Sequence, residues 1–346
     1  NVVGLIGADP ALTVRAVNLR KFGQEIIRIL GGRRVHPNFA VPGGVNKVLK
    51  VEERDTILAG LDEAITTIQL GIQIMKDWAE KHREDIEKFA VFQTGYLGLV
   101  TLENGLELYD GDIRLVDRDG VQLEKFNDQK YLDYIAEHVE SWSYLKFPYY
   151  KKMGWPAGVY RVGPLGRLNT IDKIDTPLAQ AEFLNWRRLN NGKPVENTLY
   201  FHYARLIECL FAAERVRVLL NDPDILSSDI QNTHREFRGE GVGVIEAPRG
   251  TLIHHYWANE NGQLKRVNLI VATGHNNWAM DHAVDSVAKT YITGPEITEG
   301  LLNRIEAAVR AHDPCLSCST HAVGQMPMVV EMYDAHGELV QRATRG

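Results

Sequence analysis

Cysteine is scarce in this chain, with only Cys209, Cys315 and Cys318 among 346 residues. Three cysteines so unevenly placed cannot build a disulfide framework. They suit a reducing compartment, where a close pair more often serves metal or redox chemistry. Positive charge is not in excess either: 39 Lys and Arg against 45 Asp and Glu leave a formal net charge of −6 and a pI near 6.1. Nucleic acid and anionic membranes select a basic face, so both are disfavoured as partners. No stretch approaches the roughly 18 uninterrupted apolar residues of a transmembrane helix. An initiator methionine and a targeting segment are also lacking. The start at Asn1-Val2-Val3-Gly4 is expected of a processed product or of a stretch opening partway into a longer protein.

What is present is an ordinary globular balance, 44% hydrophobic and 24% charged. A chain of this length can bury a large core as one domain or two. The first half reads as helical. Thr13 is placed to cap a helix through Val17, Phe22, Ile26 and Ile27 to Leu30, which Gly31-Gly32 stops. Leu58, Leu61, Ile65, Ile68, Ile72 and Met75 then recur at spacings of 3, 4, 3, 4 and 3, one apolar stripe of a long bundle helix. Residues 106–123 change period, with turns at Asp110-Gly111 and Asp119-Gly120, and predict a small β excursion. Helical patterns return over 129–141, 176–190 and 198–220. A second β patch covers 241–273, with Asn261-Gly262 as its hairpin turn. Helices over 276–290 and 298–311 lead into the cysteine pair, and a terminal hairpin over 328–341 follows it. The expected fold class is mainly α with small β insertions, an α+β protein with a helical-bundle core.

The chemistry concentrates in Asp313-Pro314-Cys315-Leu316-Ser317-Cys318-Ser319-Thr320-His321. Cys-x-x-Cys lets two thiolates converge on one soft metal ion, and His321 follows at the same spacing. Pro314 sets its own φ and biases Asp313 towards extended backbone. On spacing alone several readings compete. Structural zinc is the usual default but takes four protein ligands, and Cys209, in an apolar helical segment, reads as a buried packing cysteine. A thioredoxin-like redox pair belongs after a strand, whereas this motif follows a helix. Beyond these, spacing leaves the chemistry open.

The full string Asp-Pro-Cys-x-x-Cys-x-x-His resembles the C-terminal motif of nickel–iron hydrogenase large subunits. It is most similar to the cytoplasmic, bidirectional, NAD-linked group. The resemblance runs along the whole chain, including Gly31-Gly32-Arg33-Arg34-Val35-His36-Pro37-Asn38, Pro42-Gly43-Gly44, Tyr160-Arg161-Val162-Gly163-Pro164-Leu165 and Glu246-Ala247-Pro248-Arg249-Gly250. It implies that Cys315 is a terminal nickel ligand and Cys318 a bridge to an iron carrying CO and cyanide. Asp313 would lie above the open metal position, and His321 would bind a magnesium (or iron) ion. Arg249, after Pro248, would point over the metals to one cyanide, although read alone it is a surface cation at a strand end. Thr273 would serve the other cyanide, with Ala272 standing where many relatives carry proline. Cys315 is the first candidate proton acceptor and Arg249 its rival. The Tyr160–Leu165 stretch is read as structural and His36 as part of the surroundings. His254 and His255, adjacent on a strand, face opposite ways and cannot both line one pocket.

The family's nickel takes four thiolates, two of them from an early Cys-x-x-Cys that these residues lack. The resemblance therefore implies that 1–321 is a partial large-subunit domain without its N-terminal portion, inactive by itself. Residues 322–346 would be an extension removed on maturation after His321. No Gly-x-Gly-x-x-Gly loop is present, so NAD falls to a diaphorase partner that also binds flavin. Iron–sulfur clusters fall to a small subunit, because the cysteines for them are absent. A maturation endopeptidase and nickel-insertion proteins complete the implied partners. The alternatives are a non-catalytic relative, such as the quinone-site subunit of respiratory complex I, and a zinc-stabilised structural protein using Cys315, Cys318 and His321.

Overall fold

The computed structural model describes residue 7 and residues 9–234, 236–319 and 328–345. The chain divides into two compact units: residues 1–77, 176–179 and 206–238 form one, and 78–175, 180–205 and 239–346 the other. Among the described residues no helix is long and apolar enough to cross a membrane.

The first unit is helical. Its opening helix, Pro10–Gly31, is capped by Asp9, whose side chain accepts from the Leu12 N–H at 2.9 Å. The cap is therefore one turn earlier than Thr13, because Pro10 fits the first helical position and Asp9 satisfies a donor left orphaned there. Gly32, at φ 80°, ends the helix in the left-handed conformation, as the glycine pair predicts. The stripe helix runs Val51–Lys81 and buries Ile57, Leu61, Ile65, Ile68 and Ile72 along its length. Ile29, Leu49, Ile57, Leu61 and Leu220 form the unit's core, each side chain contributing roughly 2 kcal/mol by leaving water. Cys209 corrects the sequence reading. It is exposed, because Ile207, Leu210 and Phe211 take the buried face of helix Phe201–Leu220.

The second unit holds the β structure. Gly95–Val100 pairs antiparallel with Asp112–Val116 and parallel with Tyr160–Arg161, and Gln122–Phe126 closes the other edge. Strands Glu240–Ala247, Gly250–Ala258 and Leu264–Ile270 make a three-stranded antiparallel sheet. Leu97, Leu99, Ile113, Leu115, Val162, Val244, Ile253 and Ile270 pack between the sheets as one core. The helix expected over 129–141 is instead one helical turn, Tyr131–Tyr134, followed by strand Ile135–Val139. That strand pairs with Lys146–Tyr150, and cross-strand partners override a weak helical periodicity.

Helices Asn277–Tyr291 and Glu299–Ala311 pack around Ala279, Ala283, Val287, Leu301, Ile305 and Ala308. The terminal hairpin, Met328–Tyr333 with Leu339–Arg345, sets Val330, Met332 and Ala343 against this same core. These helices deliver the chain to the cysteine pair, while the three-stranded sheet delivers Arg249 and Thr273.

Candidate metal centre

Three segments of the second unit converge. The first is the hairpin between Glu240–Ala247 and Gly250–Ala258, where Gly250 pairs with Ala247 and leaves Pro248-Arg249 as a two-residue turn. Close approach dictates its glycine. A Cβ on Gly250, at φ 139°, would lie 2.2 Å from Val162 Cγ2. Beneath the turn sits a buried ion pair. Arg167 Nη1 donates to Glu246 Oε2 at 2.6 Å, with side-chain exposures of 2% and 0%.

The second segment is the exit from helix Glu299–Ala311. Asp313 corrects an expectation: its φ is 50°, left-handed rather than extended. Its N–H donates to Arg310 O at 2.9 Å, so it serves as the left-handed closing residue of the helix end. Pro314 disfavours only the right-handed region for the residue before it, and aspartate tolerates the left-handed one better than most. The Arg249 Nε–H reaches this residue twice, donating to the Asp313 carbonyl and standing 3.5 Å from its carboxylate Oδ2. Both side chains are partly wet, so the pair contributes orientation more than stability.

Cys315 stands just ahead of one helical turn, Leu316–Ser319, that carries Cys318, and the two are joined as a disulfide with Cα atoms 5.4 Å apart. Opened by two electrons, the pair presents two thiolates to one side of the turn, a donor set that fits a soft metal ion. Among the described residues no group of three His, Cys, Asp or Glu stands at metal-binding range. The two cysteines are thus the donor pair that the described residues offer a soft metal ion.

The third segment is the single turn Ala272–Asn276, which ends the sheet. Thr273 Oγ1, buried, accepts from the Cys315 N–H at 3.1 Å. A hydroxyl that accepts here still has its own proton to donate elsewhere. His275, two residues after Thr273, and His312, next to Asp313, are both buried. His275 Nδ1 lies 2.8 Å from the Tyr160 hydroxyl, and His312 Nδ1 donates to Ala308 O at 3.0 Å. Desolvation by burial pulls both imidazoles down to about 3, so neither is charged at neutral pH.

The structure thus brings together Pro248, Arg249, Thr273, Asp313, Cys315 and Cys318. His321 lies outside the described residues. His36 is an exposed residue of the first unit. His255 is buried between the Tyr131 hydroxyl and Glu240, a packing role, while His254 on the other face meets Tyr256. Sequence reasoning missed Arg167 and gave Glu246 no role. The two are far apart in sequence, and no local spacing marks them as a pair.

The comparisons with known proteins decide the family. Residues 107–321 match the family model described as nickel-dependent hydrogenase. The chain is 45% identical, over its whole length and 72% of the relative's, to the NAD-reducing hydrogenase HoxS subunit beta of Cupriavidus necator. This chain belongs to the nickel-dependent hydrogenase family. The hydrogenase fold is matched as well. A crystal structure of an NAD+-reducing [NiFe]-hydrogenase in the H2-reduced state superposes with a TM-score of 0.89 at 40% identity, covering 93% of this chain and 71% of that one. A [NiFeSe]-hydrogenase of Dm. baculatum, at 18% identity, shares the fold with a TM-score of 0.69 over 90% of this chain and 68% of its own. The protein is a hydrogenase oxidoreductase of the catalytic-subunit type with a nickel–iron centre implied. Neither a zinc-stabilised structural protein nor a non-catalytic relative is favoured.

Proposed function

We propose that this chain is the catalytic subunit of an NAD-linked, cytoplasmic nickel–iron hydrogenase that interconverts H2 with protons and electrons. The observation that carries the reading is the meeting of Arg249, Asp313 and Thr273 with the Cys315/Cys318 pair. When bound, the nickel–iron centre supplies Lewis acidity and redox capacity to polarise H–H.

The protein's own residues divide the remaining tasks. Cys315 and Cys318, as thiolates, would hold the metals, and any further thiolate ligands would come from other cysteines than these. The Cys315 thiolate takes the first proton. Arg249 is the weaker candidate for a base, because a guanidinium keeps its proton at any working pH. Its suited role is a fixed positive charge and a planar donor array over the site, aimed through its hold on Asp313. Thr273 holds the Cys315 backbone with its oxygen, and its hydroxyl would donate to one anionic ligand of the iron, while the Arg249 guanidinium beside Pro248 would donate to another. CO and cyanide are the iron ligands in this reading, and His321 takes a magnesium (or iron) ion.

Electrons then leave to an iron–sulfur small subunit and on to a diaphorase carrying flavin and NAD. Residues 1–321 form a partial large-subunit domain. Residues 322–346 are an extension that a maturation endopeptidase removes once nickel-insertion proteins have acted. The test is H2-dependent NAD reduction by the complex purified from its host. Turnover that requires nickel in the growth medium is the expected result, and a nickel-replete complex inert towards H2 overturns the proposal.

A further inference from the structure

We propose that Arg167 is the positioning residue for Arg249, fixing the backbone of the Pro248-Arg249 turn so that the guanidinium of Arg249 meets Asp313. The inference rests on the reading that Arg249 faces the reacting gas. Arg167 lies on helix Gly163–Thr170, every residue of which is buried. Its guanidinium holds three acceptors on three consecutive residues: Glu246 Oε2 at 2.6 Å, Ala247 O at 2.9 Å and Pro248 O at 3.4 Å. These residues run directly into Arg249. The carboxylate is held in turn, because Glu246 Oε1 accepts from the Leu99 N–H at 3.0 Å and from Thr251 Oγ1 at 2.7 Å. The turn is thus gripped on its entering side by Arg167 and on its leaving side through Thr251.

The same helix presses on the turn with its backbone. Gly163, at φ 78°, has no Cβ, and one there would sit 2.8 Å from the Arg249 carbonyl. Closing the hairpin needs none of this. Antiparallel strands pair without a charge beneath them, and a buried ion pair is generally no more stabilising than apolar residues of the same volume. What a buried guanidinium adds is direction, since its planar fork can fix several acceptors at set angles while an ammonium is a single point charge. The turn carbonyls that Arg167 holds set the direction in which the next side chain leaves. That side chain is Arg249.

The test compares Arg167→Lys, Thr251→Val and Arg249→Lys in the assembled complex. Each is measured for nickel content, kcat and KM for H2, the infrared bands of the iron ligands, and amide hydrogen exchange over residues 246–251. Misplacing a catalytic group by about 1 Å costs up to roughly a hundredfold in rate. Arg167→Lys should therefore keep its nickel and its KM while kcat falls about 10- to 100-fold. Its infrared bands should move in the same direction as those of Arg249→Lys. Exchange should quicken over 246–251 and stay unchanged over 279–287, in helix Asn277–Tyr291. A purely structural role predicts lower nickel loading with full kcat per nickel and unmoved bands, and that result overturns the inference.

If Arg167→Lys does not assemble, Thr251→Val decides by the same readouts, since it loosens Glu246 without leaving a charge unpaired. Full kcat and unchanged exchange in Thr251→Val then count against the proposal. Full activity in Arg249→Lys would instead defeat the reading of Arg249, and the exchange data would still report whether Arg167 sets the turn.

Discussion

Arg249 keeps 37% of its side chain in solvent and Arg167 only 2%, and that difference separates their roles. A wet guanidinium is screened and weakly bound, so it can answer to a neighbouring charge. A dry one is locked by its acceptors. Two buried histidines near the site in sequence follow the same logic with opposite consequence. His275 and His312 are held neutral by burial, with pKa values pulled down to about 3 from the ordinary 6.5. The unfolded chain binds protons on them below pH 6.5 and the folded chain does not. Their contribution to stability is complete above pH 6.5 and is lost as the pH falls towards 3, at about 1.4 kcal/mol per unit for each histidine. Thermal unfolding between pH 6.5 and 4 should show a steep fall in Tm that flattens in His275→Asn/His312→Asn. An identical slope in that variant would remove these groups as the cause.

At the scale of elements, legibility followed locality. The stripe helix, the helices leading to the cysteines and the three strands around Arg249 were readable because each rests on a pattern within a few residues. The strand Ile135–Val139 was not, since its identity comes from pairing with Lys146–Tyr150. Cys209 was misread because an apolar neighbourhood does not say which face a residue takes. At the site, Cys315, Cys318, Asp313, Arg249 and Thr273 were all legible from motif strings. Arg167 and Glu246 were hidden, because a buried pair joined across distant segments leaves no periodic trace. The turn between the two strands also carries a prediction of its own. Gly250→Ala places a Cβ against Val162 at a φ that side chains rarely adopt. The combined strain and overpacking should cost about 2–4 kcal/mol. Denaturant unfolding of the variant should show it, and a loss under about 0.5 kcal/mol would mean that the hairpin and helix Gly163–Thr170 are not closely packed.

For the whole molecule, similarity covers the entire chain and about seven-tenths of the relatives it matches. The residues that the motif strings point to, Arg249, Thr273, Asp313 and Cys315, meet in space. In the proposed reading Cys315 and Cys318 supply two thiolates to the metals, and the activity is measured on the assembled complex. The most direct measurement is metal analysis and infrared spectroscopy of the complex purified from its host, as wild type and as Cys318→Ala. The account predicts stoichiometric nickel with CO and cyanide stretching bands in the wild type, and loss of both in the variant. Nickel and bands that survive Cys318→Ala, or zinc in place of nickel in the wild type, would contradict it.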